Sequence, residues 1–447
     1  MYINSLKERI QNKKIIVGVI GLGYVGLPLA MEFAKTGIKT FGFDIAVHKV
    51  NNLNQGKSHI MDVSDNELSR NVANGLFHAT ANFELLSTVD AISICVPTPL
   101  TKSQEPDMSY ILAAVEQIRH FLKKGALITL ESTTYPGTTE ELIERTLSKD
   151  GFIVGEDYFL CYSPERVDPG NLTFNTENTP KVIGGTTRQC SEIGYLLYSQ
   201  VIKDMHVVTS TKSAEMTKLL ENTFRSVNIA FINEMALLCD ALGMDIWEII
   251  DAAATKPFGF MKFTPGPGIG GHCIPLDPMY LSWKAKESNF YSRFIDLAQE
   301  TNNKMPEKVI QKVTEVLNIH EKAMNRSNIL IMGMAYKSNI DDVRESPALD
   351  VYDLLVKNGA NTSYYDPYVT TFIDGSGNEV YHDEAALNNL EKYDLVLLLT
   401  HHQMFDLDKI LEKATLILDT RDAFKTISAE HLYRIGTGVE TKKVVLV

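Results

Sequence analysis

The chain has 447 residues, 44% of them hydrophobic, and a formal net charge of −13. That length supports roughly two to four domains with sizeable cores. The charge argues against general nucleic-acid or anionic-membrane binding, though not against a small basic pocket for phosphates. Five cysteines (Cys95, Cys161, Cys190, Cys239, Cys273) form no CxxC pair, which fits a reducing compartment and no structural metal. No apolar run approaches about 18 residues, and the N-terminal MYINSLKERIQNKK lacks an apolar signal core, so the chain reads as soluble and cytoplasmic.

Residues 15–20 (IIVGVI) form a short apolar run suited to a buried parallel strand. It leads into Gly21-Leu22-Gly23-Tyr24-Val25-Gly26 and then a helical pattern stopped by Gly37. A second strand, 39–43, ends at Asp44, 18 residues beyond Gly26. GxGxxG between strand and helix, with an acid at that distance, is a dinucleotide fingerprint. Gly21 allows the tight turn, Gly23 lets a pyrophosphate reach backbone, and Gly26 permits close helix–strand packing. The helix N-terminus offers N–H groups to the phosphates. Asp44 would accept the ribose hydroxyls and repel a 2′-phosphate, favouring NAD over NADP. The alternative is a glycine-rich turn that binds nothing.

Further strands are expected at 91–96, 126–130 and 159–162. Ligands of open α/β sheets gather beyond the carboxyl ends of strands, which brings forward Thr98, Thr133 and Glu165. Ordinary turn hydroxyls are the plainer reading of the two threonines. Cys161, inside an apolar strand, reads as core.

No Gly or Pro interrupts 213–242, and apolar residues recur at helical spacing, so one long helix is expected, capped by Ser213 and closed by Gly243. It is long enough to connect two domains and form a dimer seam. Lys218 and Asn222 share a face of it; by pattern alone they read as a solvated stripe. A helix at 246–254 and a largely helical stretch at 291–316, broken at Pro306, flank the segment FTPGPGIGGHCIPLDPMY at 263–280. Its glycines and prolines predict a stiff non-helical loop presenting Cys273, preceded by His272 and followed by Asp277. The bare backbone at Gly270 and Gly271 would let a bulky ligand approach. An inert buried cysteine is the ordinary alternative.

Strands at 328–332, 361–365, 395–399 and 415–418, with a helix at 346–357, give a second doubly wound pattern without the full glycine fingerprint. Lys337, Arg344 and Arg421 fall near its strand ends, where clustered cations would suit a diphosphate. Scattered surface charge is the plain alternative.

GLGYVGLP, SAEMTKLLENTF, GPGIGGHCIPLDP and MAYKSNIDDVRES together resemble the UDP-glucose/GDP-mannose dehydrogenase family, over roughly residues 15–421. The resemblance implies an α/β fold of two Rossmann-like doubly wound domains joined by a long central helix. The implied parts are an NAD-binding domain (1–210), a central helical dimerisation domain with the cysteine loop (211–320) and a UDP-sugar domain (321–447). It also implies oxidation of carbon 6 of a nucleotide sugar from alcohol to acid with two NAD. The stretch PFGFMKFTPGPGIGGHCIPLDPMYLSWKAKE looks most like the UDP-N-acetylglucosamine 6-dehydrogenases of surface-polysaccharide pathways. UDP-glucose, UDP-N-acetylmannosamine, UDP-N-acetylgalactosamine and GDP-mannose stay open as substrates.

By the same resemblance Cys273 is the nucleophile and Asp277 its partner, Lys218 and Asn222 flank the reacting carbon, Thr133 positions water and cofactor, and Glu165 is the hydrolytic base. Cofactor contacts are implied for Gly21, Gly23, Tyr24, Val25, Gly26, Asp44, Lys49, Thr98, Thr133 and Arg344. Substrate contacts are implied for Glu165, Arg166, Lys218, Asn222, Gly268, Gly271, Lys337 and Arg421. One departure is Pro169, where some UDP-glucose enzymes carry a second glutamate; Asp168 and Arg166 are the nearby charges. Two rivals remain: a two-electron dehydrogenase that needs no cysteine, and a non-catalytic regulator that binds NAD and nucleotide sugar.

Overall fold

The structure, a computed structural model, describes residues 2–60, 62–101, 103, 105–167, 173–271, 273–425 and 427–438. His272, Asp168 and Pro169, singled out above, lie outside the described residues. The chain divides into two compact units, residues 1–221 with 279–290, and 222–278 with 291–447.

The first unit is built on eight strands: β1 (Ile16–Ile20), β2 (Lys39–Phe43), β3 (Phe77–Thr80), β4 (Ala91–Ile94), β5 (Leu127–Leu130), β6 (Phe159–Tyr162), β7 (Lys181–Gly185) and β8 (Met205–Val208). Their spatial order is β3-β2-β1-β4-β5-β6-β7-β8. All neighbours are parallel except β6 and β7. Every position of β4, β5 and β6 is buried, which explains their largely apolar sequences, interrupted only by the buried Ser93 of β4 and Thr129 of β5. Alternate residues feed different cores. Ala91 and Leu127 pack on one face, and Ile92, Ile94, Ile128 and Leu130 on the other. The strand order reverses between β1 and β4, and the Gly21 turn sits at that switch point: a Cβ there would lie 2.6 Å from the Cys95 carbonyl oxygen.

The second unit carries β9 (Asn328–Met332), β10 (Asn361–Tyr365), β13 (Leu395–Leu398), β14 (Ile417–Asp419) and β15 (Leu432–Arg434), in the order β10-β9-β13-β14-β15 and all parallel. β11 (Thr371–Ile373) and β12 (Glu379–Tyr381) form a separate antiparallel hairpin. Here too the strand after the first ends in an acid that ties the first turn. Asp366, beyond β10, accepts from the Met334 and Ala335 N–H groups and pairs with His402.

The long helix spans Thr211–Leu242, 32 residues. Its cap is Ser210, whose hydroxyl accepts the Ser213 N–H at 3.1 Å, and not Ser213, which lies inside the first turn. Gly243 closes it in the left-handed region, φ +67°. The helical stretch after the cysteine segment divides into Arg293–Asn303 and Met305–Ile319. Its break therefore falls just before Pro306, which fits the first turn of the second helix.

The largest difference from the sequence expectation is at 273–287. The stiff loop ends at Gly271, and Cys273–Glu287 is a helix. Pro275 is tolerated because the first turn has no intrahelical partner for its N–H groups. Pro278 lies inside the helix and removes a single backbone hydrogen bond.

Candidate active site

In the first unit the glycine turn has the form that the sequence demands. Gly21 sits at φ +91°, and a Cβ on Gly26 would lie 1.9 Å from the Gly21 carbonyl oxygen. A Cβ on Gly23 would meet nothing within 4 Å, so its backbone faces open space. The helix Gly26–Lys35 starts with no side-chain cap at Val25, and within its first turn the Leu27 N–H already donates to the Gly23 carbonyl at 3.1 Å while Pro28 has no N–H. The half-exposed Tyr24 stands in the same turn. Asp44, at the end of β2, accepts from the Leu22 N–H at 3.1 Å and the Ala46 N–H at 2.9 Å, and pairs with Lys49 at 3.1 Å. Burial pushes its carboxyl up, but these donors outweigh it and hold the group below the ordinary carboxylate range. Open backbone, uncapped helix and acid together fit NAD.

Thr98 is buried, and its carbonyl accepts from the Tyr280 hydroxyl at 2.7 Å. Thr133 is half-buried beyond β5. Beyond β6, one oxygen of Glu165 accepts the Arg166 and Val167 N–H groups, both at 2.7 Å. Arg166 itself forms a two-point pair with Glu221, at 2.6 and 3.3 Å. Lys218 donates to the Glu165 backbone carbonyl at 2.7 Å. Lys218 and Asn222 are only 8% and 6% exposed, so the solvated-stripe reading fails: their polar ends have partners inside the protein.

In the second unit Asn222 donates to Asp277 at 2.5 Å, and both are buried. Cys273, the first residue of its helix, is exposed, whereas the other four cysteines are buried. Cys273 and Asp277 are one helical turn apart, so they share a face. The loop before them is anchored by Asn233, which accepts the Gly266 N–H at 3.0 Å. The glycines serve packing: Cβ atoms on Gly270 and Gly271 would strike Tyr336 at 2.6 and 2.8 Å. The expected opening for a ligand at these two positions is filled by that side chain. Gly268, at φ +135°, likewise abuts Pro347.

Arg421 brings its charged end against this loop, Arg344 adjoins it through its backbone carbonyl, and Lys337 follows a residue that packs on it. A Cβ on Gly266 would lie 2.6 Å from a terminal nitrogen of Arg421. Tyr336, which fills the space beside Gly270 and Gly271, immediately precedes Lys337. The Arg344 carbonyl accepts the Gly271 N–H at 2.9 Å. Arg421 also donates to the Leu399 carbonyl at 2.7 Å. Burial pushes its guanidinium down to about 10, which leaves it cationic at neutral pH. Lys337 is half-buried, and Arg344 is exposed with its side chain on Asp342 at 2.6 Å.

Three family models match in chain order. They describe the NAD binding domain (14–202), the central domain (212–304) and the UDP binding domain (330–426) of one dehydrogenase family. The chain belongs to the UDP-glucose/GDP-mannose dehydrogenase family. Within this family it is 37% identical over 418 residues to the NDP-N-acetyl-D-galactosaminuronic acid dehydrogenase of Ralstonia nicotianae, covering 91% of this chain and 95% of that one. It is 36% identical over 404 residues to the UDP-N-acetyl-D-mannosamine dehydrogenase of Escherichia coli K12, covering 87% and 94%. The solved UDP-D-ManNAc dehydrogenase of Pyrococcus horikoshii superposes with a TM-score of 0.86 at 32% identity, covering 95% and 100%. This member of the family is an NAD-dependent nucleotide-sugar dehydrogenase.

Around these positions stand residues that the sequence reading did not single out. Glu131, at the end of β5, pairs with Lys181, the first residue of β7, at 2.6 Å, and both are buried. Glu215, in the first turns of the long helix, accepts the Gly137 and Thr139 N–H groups at 2.5 and 2.9 Å. The available signal for Glu131 was a charged residue closing a largely apolar strand, LITLE. Lys181 offered none, since nothing in its neighbourhood marks it as buried.

Proposed function

We propose that this dehydrogenase oxidises carbon 6 of a UDP-linked N-acetylhexosamine to the uronic acid, in a four-electron reaction through a thioester on Cys273. The observation that carries the reading is Cys273 itself, an exposed thiol opening a helix one turn before the Asp277–Asn222 pair. A helix N-terminus favours the thiolate, which is the reactive form.

NAD, when bound, supplies the hydride acceptor. In the first oxidation carbon 6 loses a hydride and its hydroxyl loses a proton, giving an aldehyde. The proton acceptor is a water held by Asp277 and Asn222, or Lys218 where it enters the step as the neutral amine and becomes cationic by taking that proton. Cationic Lys218 stabilises the negative oxygen that develops. The Cys273 thiolate then adds to the aldehyde carbon, and loss of a second hydride from the hemithioacetal leaves the thioester. Glu165 takes a proton from water as the water oxygen attacks, the C–S bond breaks, and the thiolate departs. Thr133 holds water and cofactor. Lys337 and Arg421 hold the diphosphate, and Arg166 contacts the substrate. Tyr24, Val25, Lys49, Thr98 and Arg344 complete the cofactor contacts. The parts 1–210, 211–320 and 321–447 divide the work into NAD binding, catalysis with dimerisation, and UDP-sugar binding.

The 257–287 stretch favours N-acetylglucosamine, whereas the relatives carry N-acetylmannosamine and N-acetylgalactosaminuronic acid in their names. NADH production over UDP-N-acetylglucosamine, UDP-N-acetylgalactosamine, UDP-N-acetylmannosamine, UDP-glucose and GDP-mannose tests the assignment. Highest kcat/KM with a sugar lacking the acetamido group would overturn it.

The working assembly is a homodimer seamed by the long helix. Leu220, Phe224, Phe231, Leu238 and Leu242 are all exposed along it, at intervals of four and seven residues, as a stripe awaiting a partner surface would be. The product is destined for surface polysaccharide. A cytoplasmic location agrees with the cysteine pattern, and among the described residues no helix is long and apolar enough to cross a membrane.

A further inference from the structure

β7 is the one strand of the first sheet that runs against its β6 neighbour, with Tyr162 opposite Gly184. That reversal carries its first residue, Lys181, past the carboxyl end of β6, to where Pro164 and Glu165 follow. Ser163 fixes the alignment locally by donating to the Val182 carbonyl at 2.7 Å. The Lys181 ammonium is held by the Glu131 carboxylate at 2.6 Å and the Pro164 carbonyl at 3.3 Å, and lies over the Tyr198 ring. Its fourth neighbour is the second carboxylate oxygen of Glu165, at 3.8 Å. Lysine is rarely buried unless paired. Here one ammonium faces two carboxylates, and the Tyr198 hydroxyl already donates to Glu131.

We propose that Lys181 is a positioning residue for hydrolysis: it aims the Glu165 carboxylate at the attacking water and ties it to the end of β5. This rests on Glu165 being the hydrolytic base. Glu165 has one oxygen fixed by two N–H groups, so its plane is set by what faces the other oxygen. Glu131 immediately precedes Ser132 and Thr133, so the same ammonium links the Thr133 turn to the Glu165 turn. A base held in register by such a clamp needs no rearrangement when water attacks.

The test uses the full-length enzyme with NAD and the nucleotide sugar that it oxidises fastest. Lys181→Met alone strands the Glu131 carboxylate and can unfold the chain. The decisive variant is therefore Glu131→Gln/Lys181→Met, which removes both charges of the buried pair. It is expected to fold, to keep its first-turnover burst of NADH, and to slow in steady state by roughly tenfold or more, within the range of general-base effects. The acyl-enzyme should then accumulate as added mass on the intact protein, and Lys181→Arg, which keeps a cation, should not accumulate it. If the double variant turns over as fast as Glu131→Gln alone without accumulating acyl-enzyme, Lys181 merely neutralises Glu131 and the inference is overturned. Glu165→Gln separates the two layers. Unchanged turnover in that variant removes Glu165 as base, whereas acyl-enzyme in it but not in the double variant overturns the role of Lys181 alone.

Discussion

The Lys218 ammonium donates to the backbone carbonyl of Glu165 across 2.7 Å, although 53 residues separate the two. The bond fastens the long helix to the turn beyond β6 and brings a buried cation to the main chain of the proposed hydrolytic base. Lys218→Met keeps the apolar stem and removes the charge. It should lower kcat by about 10²–10³, the range for losing one donor that stabilises a developing oxyanion. Rates at saturating NAD and sugar, with circular dichroism as a check on folding, measure this. A fall in kcat/KM with kcat unchanged would assign Lys218 to ground-state binding instead.

Asp44, the proposed ribose acceptor, is also a carboxylate on which acid stability depends. Asp44→Asn exchanges a charged acceptor for a neutral one and should raise the KM for NAD roughly tenfold, about 1.5 kcal/mol for a hydrogen bond to a charged group. The folded carboxyl lies below its unfolded value. Its stabilisation is therefore complete above roughly pH 4, the unfolded value, and is lost as pH falls through the folded value. Urea midpoints recorded downward from neutral pH should fall more steeply for the parent than for Asp44→Asn.

Much of the fold was legible because parallel strands buried on both faces write themselves as short, largely apolar runs. Asp44 and the glycine turn were legible too, since the constraint on each is local: a φ of +91° at Gly21 and an acid closing the next strand. The Cys273 helix is hidden in the sequence because proline ordinarily breaks a helix, and only position in the first turn makes Pro275 harmless. Gly270 and Gly271 showed that side chains had to be absent there but not what takes the space, which is Tyr336. The Glu131–Lys181 pair joins residues 50 apart, and no local pattern announces such a pairing.

Gly266 offers a way to disturb Arg421 without touching it. A Cβ at Gly266 would press on the terminal guanidinium nitrogen, the movable end of a long side chain. Gly266→Ala should therefore leave Tm within about a degree, roughly 1 kcal/mol at this chain length. It should raise the KM for the nucleotide sugar roughly tenfold by displacing one charge-assisted contact. An unchanged KM would take Arg421 out of substrate binding.

Phe231 lies mid-way along the exposed stripe of the long helix, 56% exposed. Phe231→Glu puts a charge where a dimer seam would bury apolar surface. Sedimentation should show a dimer for the parent and a monomer for the variant. A monomeric parent at micromolar concentration would contradict the dimer.

The count of NADH formed per sugar acid released tests the thioester account most directly, read by absorbance against product measured by mass. Two NADH per acid are expected from the parent, and no acid from Cys273→Ala. One NADH per sugar with free aldehyde in solution, or undiminished acid formation by Cys273→Ala, would contradict covalent capture at Cys273.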